Sequence, residues 1–283
     1  MTQYKNITVN GLNIFYREAG DPKNPAILLL HGFPTSSHMF RNLIANLEGK
    51  YYLVAPDFPG FGYSSMPRVE EFDYSFDNLS VVTENFVNAI GLKKFSMYVM
   101  DYGAPIGYRI AERNPEKIQA LLVQNGNAYE EGLTDFWIPI FKYWKNPKDR
   151  EEVATMLLPE STRWQYVNGV QDETKISPDN WQHDQSLLDR PGNREIQLQL
   201  FLSYGTNPPL YPKWQAYFRK YQPPTLITWG ANDAIFPPSG AHPYKRDLQN
   251  VELHLLDTGH FALEDHHKEI SSLIDDFLQK NLH

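Results

Sequence analysis

The chain has 283 residues, of which 41% are hydrophobic, enough for the core of an α/β domain that carries an insertion. Its formal net charge of −8 argues against nucleic acid or an anionic membrane as the main partner, and the absence of cysteine excludes disulfides and thiol catalysis. Residues 1–6 lack the apolar segment of a signal peptide, and no apolar run is long enough to span a membrane. These features predict a cytoplasmic protein without a membrane partner.

The N-terminal part of the chain predicts a hairpin and then a buried strand. The strand-forming segments 6–9 and 12–18 flank Asn10 and Gly11, a pair that favours a two-residue β-turn. Residues 26–30 form a continuous apolar run, as expected for a strand that is buried on both faces.

The next elements alternate between helix and strand. Residues 39–47 have helical spacing, 51–55 and 95–100 have strand composition, and an amphipathic helix over 79–90 ends at Gly91. Such alternation predicts a parallel sheet with helices on both faces.

One side chain stands at a sharp turn between the strand 95–100 and the helix that follows it. Gly103 and Ala104 add little bulk after the turn, and Pro105 is tolerated in a first helical turn, where no donor is needed. The residue at the apex is Asp101. This pattern is typical of a nucleophile elbow, in which the turn pushes one side chain out over the sheet. Since aspartate also caps helices well, Asp101 alone does not establish a catalytic role.

The alternation stops after an apolar run at 118–123. Residues 128–222 carry helical patterns and dense aromatic side chains, which predicts a helical lid inserted over the carboxyl edge of the sheet. A second independent domain is the alternative, because a segment of this length can fold alone. The core domain would then comprise residues 1–127 and 223–283 and would close with a helix over 264–282.

Three reactive side chains follow three different predicted strands. Asp101 follows the elbow strand, Asp233 follows a strand at 225–229, and His260 follows one at 251–256. Alone, Asp233 is explained as a turn residue and His260 as a loop histidine. In an open parallel sheet, however, ligands bind outside the carboxyl ends of the strands, so we expect the three side chains to meet there. The order nucleophile, acid, histidine predicts a catalytic triad.

The chain resembles the α/β-hydrolase superfamily, and within it the branch with an aspartate nucleophile, the haloalkane dehalogenases and epoxide hydrolases. The likeness covers nearly all of the chain outside the predicted lid. Residues 31–34 (His-Gly-Phe-Pro) are similar to the oxyanion loop of that branch, and 259–261 (Gly-His-Phe) resemble its histidine loop. The turn-rich segment 56–64 resembles a further motif of the branch. The resemblance implies an α/β-hydrolase fold, with a mostly parallel sheet flanked by helices and an inserted helical lid.

The resemblance also implies a covalent mechanism. The carboxylate of Asp101 would attack an sp³ carbon to form an alkyl ester, and His260 would deprotonate the water that hydrolyses it. Asp233 would orient the imidazole, and the backbone N–H groups of Phe33 and Tyr102 would form the oxyanion hole. Neither a cofactor nor a metal is expected.

The same residues are compatible with more than one leaving group. Dehalogenases of this branch have a tryptophan after the nucleophile, where this chain has Tyr102, although Val99 and the segment 34–37 resemble dehalogenases more than epoxide hydrolases. Epoxide hydrolases share the His-Gly-Phe-Pro loop and use two lid tyrosines, for which the candidates are Tyr143, Tyr166, Tyr204 and Tyr211. We expect epoxide hydrolysis, with dehalogenation as the alternative. Ester or lactone hydrolysis and ligand binding without turnover are two further hypotheses.

The expected ligand is a small apolar molecule bound between the sheet edge and the lid. Its predicted contacts are His31, Phe33, Tyr102, Trp164, Tyr166, Tyr204 and Phe261. The sequence leaves open which lid aromatics take part in catalysis, which substrate is used and whether the protein forms a homodimer.

Overall fold

A computed structural model of the chain describes residues 1–282 and contains eight strands and eleven α-helices in that range. The strands are β1 (Gln3–Val9), β2 (Leu12–Ala19), β3 (Ala26–Leu30), β4 (Tyr52–Pro56), β5 (Phe95–Met100), β6 (Ile118–Gln124), β7 (Thr225–Gly230) and β8 (Val251–Leu256). The helices are α1 (Arg41–Leu47), α2 (Phe76–Ala89), α3 (Gly103–Arg113), α4 (Ile138–Lys145), α5 (Arg150–Ala154), α6 (Pro159–Val167), α7 (Pro178–Leu188), α8 (Asn193–Ser203), α9 (Tyr211–Tyr221), α10 (Tyr244–Asp247) and α11 (His267–Asn281).

The eight strands form one sheet in the order β1-β2-β4-β3-β5-β6-β7-β8. The strands from β3 to β8 pair in parallel, whereas β2 pairs antiparallel with both β1 and β4. The turn between β1 and β2 has positive φ angles at Asn10 (51°) and Gly11 (79°), as the two-residue hairpin requires. The predicted α/β class with a mostly parallel sheet is confirmed.

The sheet is buried on both faces because helices cover each of them. Every residue of β3, β4 and β5 is buried, as their continuous apolar sequences predict. Apolar side chains of α1 and α11 pack on one face, and those of α2, α3 and α9 pack on the other. Within residues 1–282, no helix combines the length and the hydropathy needed to cross a bilayer.

Residues 128–222, which we call the cap region, hold the helices α4 to α9 and several short 3-10 turns. Hydrogen bonds join this region to the sheet domain at two separate places. The indole N–H of Trp137 donates to the carbonyl oxygen of Ile235 at 2.9 Å, and the guanidinium of Arg109 donates to Oδ1 of Asn207 at 2.8 Å. These two bonds connect the cap region to the loop after β7 and to helix α3.

The closing helix is shorter than the sequence pattern predicts. Residues 264–282 are compatible with one amphipathic helix, but α11 begins only at His267. Glu264 instead forms two hydrogen bonds with the guanidinium of Arg41 and accepts a third from Asn180. These contacts hold Glu264 in the loop that follows β8, and the helix starts after them.

Candidate active site

The turn after β5 presents Asp101 at the carboxyl end of the sheet. Its φ is 49°, in the left-handed region that aspartate tolerates better than most residues. Helix α3 begins two residues later at Gly103, where a Cβ atom would lie 2.1 Å from the carbonyl oxygen of Leu30. Only glycine allows the helix to start this close to β3. The turn and the glycine together hold Asp101 out over the edge of the sheet.

The structure brings the three predicted triad side chains together. The Nδ1 atom of His260 lies 2.8 Å from Oδ2 of Asp233, and Nε2 lies 4.0 Å from Oδ2 of Asp101. When Nδ1–H donates to Asp233, Nε2 is the free acceptor, and it has no hydrogen-bond partner among residues 1–282. The three residues are only 3–5% exposed. A buried base therefore faces a buried carboxylate across a gap slightly longer than a hydrogen bond.

Two backbone N–H groups contact the carboxylate of Asp101. The N–H of Phe33 donates to Oδ1 at 2.6 Å, and the N–H of Tyr102 also bonds this carboxylate. Burial raises the pKa of Asp101, and the charge of His260 and these two N–H groups offset only part of the increase. The same donors suit the negative oxygen of a tetrahedral intermediate at Cγ of Asp101.

The charges around His260 favour its protonated form. Burial alone lowers the pKa of His260, but the charge of Asp233, its hydrogen bond to the imidazole and the charge of Asp101 outweigh burial. The net effect raises the pKa of His260 above its ordinary value. The imidazole is consequently a stronger base than an unperturbed histidine.

Asn125, which follows β6, is a site residue that the sequence analysis missed. Its amide donates to Oδ2 of Asp233 at 2.6 Å, and its Oδ1 accepts from the N–H of Gly230 at 3.0 Å. Its φ is 42°, and its side chain is fully buried. Asn125 therefore holds the carboxylate oxygen that also receives His260. The sequence feature that indicates this role is the position of Asn125 just beyond the carboxyl end of a parallel strand. The three triad residues share that position.

A cavity of about 80 Å³ lies beside Asp101, between the carboxyl edge of the sheet and the cap region. This volume is several times what one water molecule requires. Its walls are formed by Phe33, Asp101, Tyr102, Phe136, Trp137, Ile140, Met156, Ser161, Trp164, Gln165, Phe201 and Ile235. Among these described residues, Asp101 is the one carboxylate and no basic side chain is present. Such a cavity suits a small, largely apolar molecule.

Three of the seven predicted substrate contacts line the cavity, namely Phe33, Tyr102 and Trp164. His31 does not line it, because its ring is fully buried between other groups. Its Nδ1 bonds the carbonyl oxygen of Gly32 at 2.9 Å, and its Nε2 accepts from the N–H of Phe58 at 3.1 Å. Burial lowers the pKa of His31 to about 4, so the ring is neutral. In this structure the ring of His31 connects Gly32 to Phe58, and its contact with a substrate stays a prediction.

Tyr166, Tyr204 and Phe261 also lie outside the cavity wall. The hydroxyl of Tyr166 donates to Asp184, and its ring stacks on Phe261 with the ring centroids 4.1 Å apart. Tyr204 is buried and packs against the ring of Tyr102, with the centroids 5.8 Å apart. These three rings pack against protein groups, and their contacts with a substrate stay predictions.

The remaining two tyrosine candidates also bond elsewhere. The hydroxyl of Tyr143 donates to the carbonyl oxygen of Leu198 at 3.2 Å, and that of Tyr211 accepts from the amide of Asn127 at 3.1 Å. The pair of lid tyrosines expected for an epoxide hydrolase has no counterpart among the described residues that line the cavity.

Gly32→Ala is expected to lower kcat by about a hundredfold, because a Cβ at this position would lie 2.4 Å from Cβ of Asp101 and 2.6 Å from its Oδ1. The carboxylate would have to move away from the N–H of Phe33. Steady-state kinetics checks this prediction, with Gly49→Ala as the control, since a Cβ at Gly49 meets no atom within 4 Å. An unchanged kcat in Gly32→Ala would show that the position of the carboxylate does not limit the reaction.

Among residues 1–282, no group of three or more His, Asp or Glu side chains is arranged to hold a metal ion.

Comparisons with known proteins agree with the fold and the geometry of the site. A family model described as alpha/beta hydrolase fold matches residues 25–267. The uncharacterized hydrolase YNR064C of Saccharomyces cerevisiae is 43% identical over 278 residues, which cover 96% of this chain and 95% of the yeast protein. A haloalkane dehalogenase of Mycolicibacterium paratuberculosis is 36% identical over 117 residues, which cover 41% of this chain and 38% of that protein.

A solved structure has the same fold at lower identity. The haloalkane dehalogenase DbeA from Bradyrhizobium elkani superimposes with a TM-score of 0.84 at 20% identity, covering 99% of this chain and 98% of that chain. The sheet order, the turn at Asp101 and the family match over most of the chain agree with one another. The chain belongs to the α/β-hydrolase fold family, as a hydrolase related to the haloalkane dehalogenases.

Proposed function

We propose that this hydrolase opens small, largely apolar carbon electrophiles through an alkyl ester on Asp101, with epoxides as the leading class. One observation carries the proposal. Asp101 lines the cavity with one oxygen bonded to the N–H of Phe33, while its other oxygen lies 4.0 Å from the unpartnered Nε2 of His260. In its ionised form Asp101 is thus a nucleophile that needs no base, and it lies beside a base that has no other partner.

In the first half-reaction, an oxygen of Asp101 forms a bond to an sp³ carbon of the substrate. The bond from that carbon to the leaving atom breaks, and its electron pair stays on the leaving atom. A carboxylate does not suit esters as well, because its attack on an ester carbonyl gives an anhydride. His260 takes no proton in this step.

In the second half-reaction, Nε2 of His260 removes a proton from water, and the hydroxide attacks Cγ of the Asp101 ester. The N–H groups of Phe33 and Tyr102 stabilise the tetrahedral oxyanion, an effect worth about 3–4 kcal/mol per donor in related chemistry. Asp233 stabilises the imidazolium. Collapse breaks the bond to the alkoxide, which takes the proton from His260. The carboxylic acid that remains on Asp101 then releases its proton to solvent, and the carboxylate is restored.

Epoxide opening needs an acid, because the leaving oxygen becomes an alkoxide. The ring of Tyr102 lines the cavity, and its hydroxyl has no hydrogen-bond partner among residues 1–282. Burial raises the pKa of Tyr102 well above its ordinary value, so the phenol keeps its proton at neutral pH. Tyr102 therefore supports epoxides as the leading class.

Haloalkane hydrolysis is the second candidate, and a different group supports it. The indole of Trp164 lines the cavity, and an N–H donor is sufficient for a halide, which leaves as a stable anion without a proton. Relatives named haloalkane dehalogenases agree with this alternative.

The pH dependence of the second half-reaction follows from the charges around His260. The step needs neutral imidazole, so its rate should rise with pH through the pKa of His260. The charge of Asp101 raises this pKa in the free enzyme, and the ester removes that charge. We expect the midpoint of single-turnover ester hydrolysis to lie below the pKa of His260 measured by NMR in the free enzyme. A midpoint at or above that pKa would contradict the coupling between the two side chains.

One panel assay tests the proposed function. Purified enzyme is incubated with short epoxides, bromoalkanes and p-nitrophenyl esters, while diol formation, bromide release and phenolate release are followed separately. We expect diol formation to be the fastest, with bromide release as the second candidate outcome. Ester cleavage as the only activity would overturn the proposal.

A further inference from the structure

The cavity wall contains a polar group that the proposed mechanism does not use. Helix α6 turns Ser161, Trp164 and Gln165 toward the cavity, since residues three and four apart lie on one helical face. The side-chain hydrogen bonds of α6 come from Ser161, Thr162, Arg163 and Tyr166. Within residues 1–282, the amide of Gln165 therefore forms none.

Gln165 is nevertheless almost enclosed, with 6% of its surface exposed. Its neighbours in the wall are mostly apolar, among them Phe136, Ile140 and Met156. An amide in such surroundings is unfavourable unless both its N–H₂ group and its carbonyl oxygen find partners. A bound molecule in the cavity can supply these partners.

Contacts just beyond the end of α6 connect this helix to the triad. The chain that leaves α6 packs against two of the three loops that carry triad residues. The side chain of Asn232 donates to the carbonyl oxygen of Gly169 at 2.9 Å, and a Cβ at Gly259 would lie 1.9 Å from the carbonyl oxygen of Asn168. A polar group on a helix connected in this way can select a substrate by the position of a matching group.

We propose that Gln165 is a specificity-determining residue that binds a second polar group of the substrate, a hydroxyl or an amide. The inference rests on the proposed reaction at Asp101. A leaving halogen or epoxide oxygen accepts hydrogen bonds only, and the donors of Tyr102 and Trp164 can serve it. The carbonyl oxygen of Gln165 needs a donor instead, which a hydroxyl or an amide supplies. The preferred substrates are then electrophiles that carry such a group apart from the reacting carbon.

Matched substrate pairs test this inference. Each pair is a short linear epoxide or bromoalkane that ends either in a hydroxyl or in a methyl group. We expect wild-type enzyme to prefer the hydroxyl member by about tenfold in kcat/KM, the effect of one hydrogen bond. Gln165→Met should remove this preference, so that the ratio of kcat/KM between the two members of a pair falls to about one.

The control variant is Gln199→Met on α8, because Gln199 also has an unpartnered carbonyl oxygen but does not line the cavity. This variant should keep the preference. A wild-type enzyme without the preference, or a Gln165→Met enzyme that retains it, would overturn the inference.

A binding measurement separates this inference from the proposed function. In Asp101→Asn protein, n-hexanol should shift the side-chain amide resonances of Gln165 in a ¹H–¹⁵N spectrum. A shift without turnover by the wild type would support the inference and overturn the reaction at Asp101. Turnover through Asp101 without the shift would overturn the inference and leave the proposed function intact.

Discussion

Asp101→Asn is expected to lose at least about 10⁴-fold in kcat, because an amide cannot form the alkyl ester. Asparagine has nearly the same shape, and its carbonyl oxygen can still accept from the N–H of Phe33, which lies 2.6 Å from the present carboxylate. The fold should therefore survive. Steady-state kinetics and thermal melting, measured on the same preparation, check both statements.

The control for this variant is Asp276→Asn, because Asp276 is exposed on α11 and does not line the cavity. Its kcat should equal that of the wild type. Activity of Asp101→Asn within tenfold of the wild type from the first turnover would show that this carboxylate is not the nucleophile.

His260→Gln is expected to form the ester but to hydrolyse it about 10²- to 10⁴-fold more slowly, the usual contribution of a general base. The imidazole acts only in the second half-reaction, so the first should proceed at a rate close to that of the wild type. Intact-protein mass spectrometry after incubation with a turnover substrate should show one adduct. An opened epoxide adds its whole mass, whereas a haloalkane arrives without its halogen.

His254→Gln serves as the control, because His254 lies on β8 and does not line the cavity. This variant should accumulate no adduct. If His260→Gln stays unmodified with a substrate that the wild type turns over, the histidine acts before the covalent step, as in a serine-type mechanism.

The local parts of this site follow from sequence because short motifs encode them. Asp101 precedes Gly103 at a strand-to-helix turn, and the close approach of α3 to Leu30 accounts for that glycine. Asp233 and His260 follow strands whose apolar runs mark their ends. In a parallel sheet these ends meet at one edge, so the convergence of the three residues needs no long-range information.

The contacts of the cap region are harder to predict from sequence, because they depend on how separate helices pack. Tyr166 points away from the cavity since its hydroxyl bonds Asp184 on the next helix and its ring stacks on Phe261. Gln165, the residue before it, faces the cavity instead. A rotation of one residue along α6 would exchange these roles, and helical spacing alone does not fix that rotation.

Asn125 shows a second limit of prediction from sequence. Its position after β6 is visible in the sequence, but its hydrogen bond to Asp233 depends on the left-handed backbone at φ 42° and on the register between β6 and β7. An asparagine in a loop is usually a turn residue, and nothing local distinguishes this one.

The source of the product oxygen tests the covalent mechanism most directly. Wild-type enzyme in excess over an epoxide is allowed one turnover in H₂¹⁸O, and both the diol and the peptide that contains Asp101 are analysed by mass spectrometry. If Asp101 attacks carbon, the first diol carries an unlabelled oxygen from the carboxylate, and the Asp101 peptide gains one ¹⁸O from the hydrolytic water. A labelled diol together with an unlabelled Asp101 peptide would show direct attack of water and would contradict the ester at Asp101.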